Sequence, residues 1–196
     1  VSCGRQHTAI LKNNGTVFTF GENDYGQLGI NSIHDAVTPM EISGNHRDII
    51  AVSCGGSHTA ILKNNGTVFT FGGNTNGQLG INSTNDAFTP MEISGNHTDI
   101  IAVSCGANYT AILKNDGTVL TFGKNNYGQL GNGTTNQSLV PMEISGNHTD
   151  IIAVSCGDLH TAILKNDGTV FTFGINQVGG LGLDYSASDS IVNVPI

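Results

Sequence analysis

Short apolar runs alternate along the chain with stretches rich in glycine and asparagine. One such stretch contains four runs of strand length, at residues 49–54, 58–62, 67–71 and 90–93. Asn65-Gly66 separates the second run from the third, and Asn-Gly between two apolar runs favours a tight hairpin turn. A glycine-rich loop at 72–80 precedes the fourth run, where Pro90 indicates an edge strand or a strand start. The pattern therefore predicts four short antiparallel strands.

This pattern recurs along the chain at a constant period. Successive cysteines, at Cys3, Cys54, Cys105 and Cys156, lie 51 residues apart, and their surroundings repeat in register. We therefore divide one domain, residues 1–196, into repeats 1–51, 52–102, 103–153 and 154–196. Four short strands in a unit of this length are typical of a β-propeller blade. The apolar positions show no helical period, which excludes a solenoid of helix pairs.

The second repeat carries a set of residues at fixed spacing that is characteristic of one family. In order along the chain, the set is Gly55, His58-Thr59-Ala60, Asn65-Gly66, Phe71-Gly72, Asn74, Gly77-Gln78-Leu79-Gly80 and Pro90. It resembles the signature of the regulator of chromosome condensation repeat family, and most of it recurs in the other repeats. The resemblance implies an all-β, seven-bladed β-propeller, which needs about 360 residues at this period. The chain supplies about four four-stranded blades, so we expect a partial or open propeller that another chain could complete.

Charge and composition narrow the classes of function. The net charge is −8 and the seven Lys and Arg residues are scattered, which argues against a nucleic-acid-binding surface. No apolar run approaches the roughly 20 residues of a membrane helix, so we expect no membrane insertion. The loop at 72–80 lacks the Lys-Ser/Thr end of a phosphate-binding loop, and no cofactor is predicted. Four unpaired cysteines weakly favour a reducing intracellular compartment.

Two sets of repeated side chains suggest a metal site or disulfides, but a structural role fits both sets better. His7, His58 and His160 occupy one repeat position, and Tyr109 stands there in the third repeat. A ring of metal ligands does not tolerate that exchange, so we expect each side chain to tie a strand to a loop. The cysteines lack the short spacing of zinc ligands, and we expect small, buried, free side chains.

Positions at which the repeats differ are better candidates for recognition, because the common architecture does not require them. Most of these positions lie in loops, where binding residues collect on propellers. Tyr and Arg are favoured as interface anchors, since they bury large areas while keeping polar ends. The candidate partner-binding residues are Asp24, Tyr25, Arg47, Lys124 and Tyr127. Neutral divergence after duplication is the competing explanation for these differences.

The leading hypothesis is a non-enzymatic scaffold that binds another protein through its loops, because the sequence contains no catalytic constellation. The founding member of the resembled family is a guanine-nucleotide exchange factor for a small GTPase, which makes that activity the first alternative. It depends on a loop that protrudes from a blade, whereas every full repeat here has 51 residues. The near-identity of the repeats supports a second alternative, a self-assembling structural component, whose partner is a second copy of the chain in a homo-oligomer.

Overall fold

The computed structural model describes residues 1–146, 148–177, 179–183 and 191–196, and its strands form four antiparallel sheets. The first sheet contains β1 (Ser2–Cys3), β2 (His7–Leu11), β3 (Val17–Gly21) and β4 (Ala36–Glu41). The second contains β5 (Ile49–Cys54), β6 (His58–Lys63), β7 (Val68–Gly72) and β8 (Ala87–Glu92). The third contains β9 (Ile100–Cys105), β10 (Tyr109–Lys114), β11 (Val119–Gly123) and β12 (Ser138–Glu143). The fourth contains β13 (Ile151–Cys156), β14 (His160–Lys165), β15 (Val170–Ile175) and β16 (Ile191–Val192).

Each sheet is a blade of four strands in chain order, which confirms the predicted all-β propeller class. The described residues contain no helix. The first strands of successive blades contact one another in the order β1, β5, β9 and β13. These strands are therefore innermost, and the blades form an arc around them. The repeat boundary between residues 51 and 52 falls inside strand β5. The second blade therefore begins slightly before the second sequence repeat.

The outermost strand of a blade begins earlier than the sequence pattern indicated. Strand β8 starts at Ala87 rather than Pro90, because the register shifts after Thr70 and lets Gly72 pair with Ala87. Pro90 thus lies within the strand instead of opening it. An outermost strand needs ladder hydrogen bonds on one side only, so the missing proline N–H is tolerated there.

The hydrophobic core is divided into three clusters, one at each contact between neighbouring blades. In the first cluster, Ala9, Val17 and Ile42 of the first blade pack with Ile61 and Phe71 of the second. Phe122 and Phe173 occupy the position of Phe71 in the other two clusters. All three phenylalanines are fully buried, and each contributes on the order of 2–3 kcal/mol through burial. In the third blade the third strand is buried on both faces, as its continuous apolar run predicts, whereas in the fourth blade Val170 of β15 is exposed.

Strand direction alternates within each blade, so the connecting loops are sorted to two opposite ends of the arc. The connections β1–β2 and β3–β4, with their equivalents in the other blades, lie at one end, which we call the loop face. The connections β2–β3 and β4–β5, with their equivalents, lie at the other end, which we call the hairpin face. This sorting decides which side chains can act on the same partner.

Candidate functional site

Neighbouring blades are joined by a hydrogen-bonded seam that repeats with the sequence. The Nε2 atom of His7 lies 2.9 Å from Thr59 Oγ1, and that of His58 lies 2.9 Å from Thr110 Oγ1. The Thr59 hydroxyl donates to the Gln27 carbonyl at 2.8 Å, so it must accept from the histidine. This network assigns the proton to Nε2 and leaves Nδ1 as a buried acceptor without a partner among the described residues.

Burial keeps the seam histidines neutral. It lowers the pKa of His7 to about 4 and that of His58 to about 3, because a charged imidazole would lose its hydration there. The structural role that the sequence predicted for these residues is present, but with a different partner. Each side chain ties its blade to the second strand of the next blade, rather than a strand to a loop.

Tyr109 fills the histidine position in the third blade and preserves the seam. Its hydroxyl lies within hydrogen-bonding distance of the His160 carbonyl oxygen, at 2.5 Å, and of Thr161 Oγ1, at 3.0 Å. Thr161 Oγ1 in turn lies 2.9 Å from the Gln129 carbonyl oxygen, which corresponds to the carbonyl that its equivalents bond in the other seams. The position therefore requires a planar polar side chain that reaches the next blade, and either residue meets that requirement.

Serine and cysteine of the inner strands form a second line of contacts along the seam. The Cys54 amide donates to Ser2 Oγ at 3.0 Å, and the Cys105 amide donates to Ser53 Oγ at 2.9 Å. The four thiols are free, and burial raises the pKa of Cys54 and Cys156 to about 11. The prediction of small buried thiols is confirmed for Cys54 and Cys105, whereas Cys3 is exposed.

The glycine that follows leucine in the Gly-Gln-Leu-Gly motif permits close packing between blades. Gly80 has a φ of +66°, and a Cβ built there would lie 2.7 Å from the ring of Phe122 in the next blade. Gly29 stands in the same relation to Phe71. A larger residue would meet both an unfavourable backbone conformation and the ring. Much of the motif is thus explained by blade contact.

One asparagine in each blade organises the long connection of the loop face. The Asn74 amide donates to the carbonyls of Ser83 and Asn85 at 2.8 and 2.9 Å, and its Oδ1 accepts from the Leu79 amide at 3.0 Å. Asn23 and Asn125 make equivalent bonds in their own blades. The buried asparagine holds the loop in one shape, so the side chains around it are presented at defined positions.

The structure brings four of the five predicted partner-binding residues to the loop face. Asp24 and Tyr25 lie in the β3–β4 loop of the first blade, and Lys124 and Tyr127 lie in the equivalent loop of the third blade. The Lys124 ammonium is 6.0 Å from the centre of the Tyr127 ring. Arg47 is separated from them, because it lies on the hairpin face and pairs with Glu41.

A groove opens on the loop face between the first and second blades, with a volume of about 370 Å³. We call it the blade 1–2 groove; its lining residues are Arg5, Gln6, Glu22, Tyr25, Ser57, Gly73, Thr75, Gln78 and Asn108. Most of these positions differ between the first two repeats. Of the predicted residues, only Tyr25 lines the groove. Arg5, Glu22 and Gly73 also stand at positions where the first two repeats differ, but the sequence gives no indication that these positions converge.

A second, larger depression lies at the loop-face ends of the inner strands, where all four blades meet. Its volume is about 740 Å³, and its wall consists mainly of the small residues that follow each inner strand. Backbone hydrogen bonds join these short loops, as in Gly56 to the Ala107 carbonyl at 3.0 Å. Arg5 and Asp158 stand in the first and last blades of the wall. The depression offers few side-chain functional groups.

The described residues hold no cluster of three His, Cys, Asp or Glu side chains suited to a metal ion. No helix in the described part of the chain is long and apolar enough to cross a membrane.

Four-stranded blades joined by a common seam define a β-propeller built from repeats. The chain belongs to the RCC1-like domain family, whose model matches residues 1–196. This confirms the resemblance to the regulator of chromosome condensation repeat family. Human "Probable E3 ubiquitin-protein ligase HERC4" is 34% identical over 187 residues, which cover 93% of this chain and 18% of that protein.

Solved structures support the same assignment. Human WBSCR16 matches with a TM-score of 0.83 and 28% identity, over 98% of this chain and 50% of that chain. Yeast RCC1 (Prp20), solved bound to Kap60, matches with a TM-score of 0.85 over 98% of this chain and 46% of that chain. At 19% identity, the second likeness shows the fold alone. The chain spans about half the length of these solved chains.

Proposed function

We propose that this chain is a non-enzymatic protein-interaction module that contacts its partner through the loop face. The observation that carries the proposal is the convergence of variable residues on the blade 1–2 groove. The seams repeat equivalent hydrogen bonds from blade to blade, whereas the side chains of Arg5, Glu22 and Tyr25 take no part in those bonds. Tyr25 is 45% exposed at the groove, as suits an aromatic anchor that a partner covers.

The fold of the relatives supports this proposal. Yeast RCC1 (Prp20), which shares this fold, was solved with another protein, Kap60, bound to it. Fold alone does not fix function, and the partner of this chain has to be read from its own loop face.

We assign partner contact to Asp24, Tyr25, Lys124 and Tyr127, because all four lie on the same face of the arc. Arg47, the remaining residue that the sequence singled out, belongs to the opposite face and provides a test of which face is used. Replacing each residue with its second-repeat counterpart should leave stability nearly unchanged, since another blade already carries that substitution.

Capture of partners from a native extract, quantified by mass spectrometry, tests the proposal. The loop-face variant carries Asp24→Thr and Tyr25→Asn, and the hairpin-face control carries Arg47→Thr. We expect the loop-face variant to lose a partner that the parent and the control both retain, with melting temperatures that agree among all three. Loss in the control alone would move the interface to the hairpin face.

The same experiment separates the alternatives. If every variant captures only further copies of the chain, the self-assembling component replaces the interaction module. If a captured small GTPase releases its nucleotide faster on mixing with the chain, the exchange-factor alternative replaces it.

A further inference from the structure

We propose that the blade 1–2 groove binds the carboxylate of an Asp or Glu side chain in the partner polypeptide. This inference rests on the proposed function and names the chemistry that the groove recognises. It comes from one glutamine position, which the first three blades share and which meets a different neighbour in each blade.

In the first blade both the oxygen and the nitrogen of this glutamine amide have a hydrogen-bond partner. The Gln27 Nε2 group donates to Glu22 Oε2 at 3.1 Å, and its Oε1 accepts from the Tyr25 amide at 3.0 Å. The residue is completely buried. The first blade thus shows that a glutamate carboxylate satisfies the amide donor at this position.

In the second blade the equivalent glutamine, Gln78, has no carboxylate beside its amide group. Gln78 Oε1 still accepts from the Asn76 amide at 2.9 Å, and the residue is only 2% exposed. Gly73 replaces the glutamate, and Gln78 Nε2 donates to no residue that the structure describes. Gln78 lines the blade 1–2 groove, so this donor faces the open space that the missing side chain would have occupied.

The third blade shows that the missing acceptor is not supplied in another way. Lys124 takes the glutamate position there, and a lysine ammonium cannot accept a hydrogen bond. Gln129 Nε2 is buried without a partner among the described residues. A buried donor without an acceptor costs free energy, so a ligand that supplies the acceptor gains from it.

One cation and one anion line the groove, so its hydrogen-bond donors, rather than its net charge, favour an anionic ligand. Arg5 lines the groove and forms no ion pair with a described residue, so its guanidinium can bind a carboxylate. Glu22 is the opposing charge, but one of its oxygens already accepts from Gln27. A cationic ligand would meet the Arg5 charge and an unpaired amide donor, neither of which it can satisfy. The side chain of Glu22 is the internal precedent, so we assign the carboxylate to a side chain rather than to a chain terminus.

NMR titration of the ¹⁵N-labelled chain with short peptides tests the chemistry directly. The probes are acetyl-Ser-Glu-Ser-amide, its Gln and Lys analogues, and acetyl-Ser-Gly-Ser with a free terminal carboxylate. We expect the first probe to shift the Gln78 side-chain amide signal and the Gln and Lys probes to leave it unchanged. A stronger response to the Lys probe, or a response only to the free terminus, would overturn the proposal.

Matched variants locate the response. Gln78→Glu keeps the acceptor for the Asn76 amide and removes the donor, so binding of the Glu probe, followed in this variant at the backbone amide of Gly73, should weaken about tenfold or more. Gln129→Glu makes the same change in the third blade and should leave that binding unchanged. Glu22→Gln removes the opposing charge and should strengthen binding; weakening would show that the groove selects a cation.

The two proposals fail separately. If no peptide shifts Gln78 while the Asp24→Thr and Tyr25→Asn variant still loses its partner, the carboxylate proposal falls and the interaction module stands. If the Glu probe binds the groove but no partner depends on the loop face, the interaction module falls and the groove is only a carboxylate-binding site.

Discussion

The seams between the blades and the loop face beside them are built from the same repeats, yet they constrain sequence very differently. At the seam, His7 and His58 make the same bond to a threonine of the next blade. On the loop face, the neighbour of the repeated glutamine is Glu22, Gly73 or Lys124 in successive blades. Repetition of the sequence therefore preserves the seams, whereas the differences among the repeats give each blade its own loop surface.

The single change within the seams follows the same reasoning. Tyr109 differs from histidine in shape and acidity, but it reaches the next blade and bonds to the equivalent threonine. The seam therefore selects a hydrogen bond in a given place rather than one residue type. The loop face shows no such compensation, since neither Gly73 nor Lys124 supplies the carboxylate that Glu22 provides.

The largest expected effect is on the pH dependence of the seams. The pKa of His7 and of His58 is lowered in the folded chain, so below pH 6.5 the unfolded chain binds more protons than the folded chain. The free energy of unfolding therefore decreases as the pH is lowered. Lowering the pH from 7 to 5 should reduce the free energy of unfolding by about 2 kcal/mol for each histidine, or about 4 kcal/mol for the two together. Urea unfolding at both pH values measures this loss. The His58→Tyr variant should lose about half as much, and an equal loss would contradict the assignment.

Truncation of a seam side chain should have the next largest effect. His58→Ala removes the bond to Thr110 and leaves a cavity, so we expect the free energy of unfolding to fall by about 3 kcal/mol at pH 7. His58→Tyr copies the third blade and should cost about 1 kcal/mol or less. Urea unfolding of the two variants side by side tests this; equal losses would show that the seam tolerates only histidine in the second blade.

A pair of glycine substitutions isolates the contact between blades from backbone strain. Gly80 and Gly182 both have positive φ, at +66° and +74°, but among the described residues a Cβ at Gly80 would meet a neighbouring ring and one at Gly182 would meet nothing. Gly80→Ala and Gly182→Ala should share a strain cost of about 1 kcal/mol, and Gly80→Ala should cost a further 1–3 kcal/mol. Thermal unfolding of both variants measures the difference. If the two variants melt together, the glycine is required for its backbone conformation alone.

The sequence was sufficient to predict the blades, because Asn-Gly turns and apolar runs are local signals that repeat at one period. It misplaced the start of strand β8, since the register shift after Thr70 depends on pairing with the neighbouring strand. The partner of His58 was also missed, because a period does not reveal which blades touch. Strand alternation, by contrast, was available from the sequence and would have placed Arg47 on a different face from Tyr25.

The groove required the structure, since its residues come from loops that are distant in sequence. Arg5, Tyr25 and Gln78 become neighbours only when two blades pack and a buried asparagine holds each long loop in shape. One local signal was present: the replacement of Glu22 by Gly73 removes an acceptor next to a glutamine that stays. Differences between repeats are therefore most informative when they leave an unchanged residue without its partner.

The exchange of one residue between blades tests the central claim most directly. Gly73→Glu copies the first blade into the second, and Gly73 does not have a positive φ; a Cβ there would lie 3.3 Å from the Ser57 carbonyl oxygen, which would have to move by a few tenths of an ångström. Titration with acetyl-Ser-Glu-Ser-amide, followed at the Gln78 side-chain amide, should show that Gly73→Glu abolishes binding by pairing that amide internally. Gly73→Lys, which copies the third blade, should retain binding. Undiminished binding by Gly73→Glu would contradict the account.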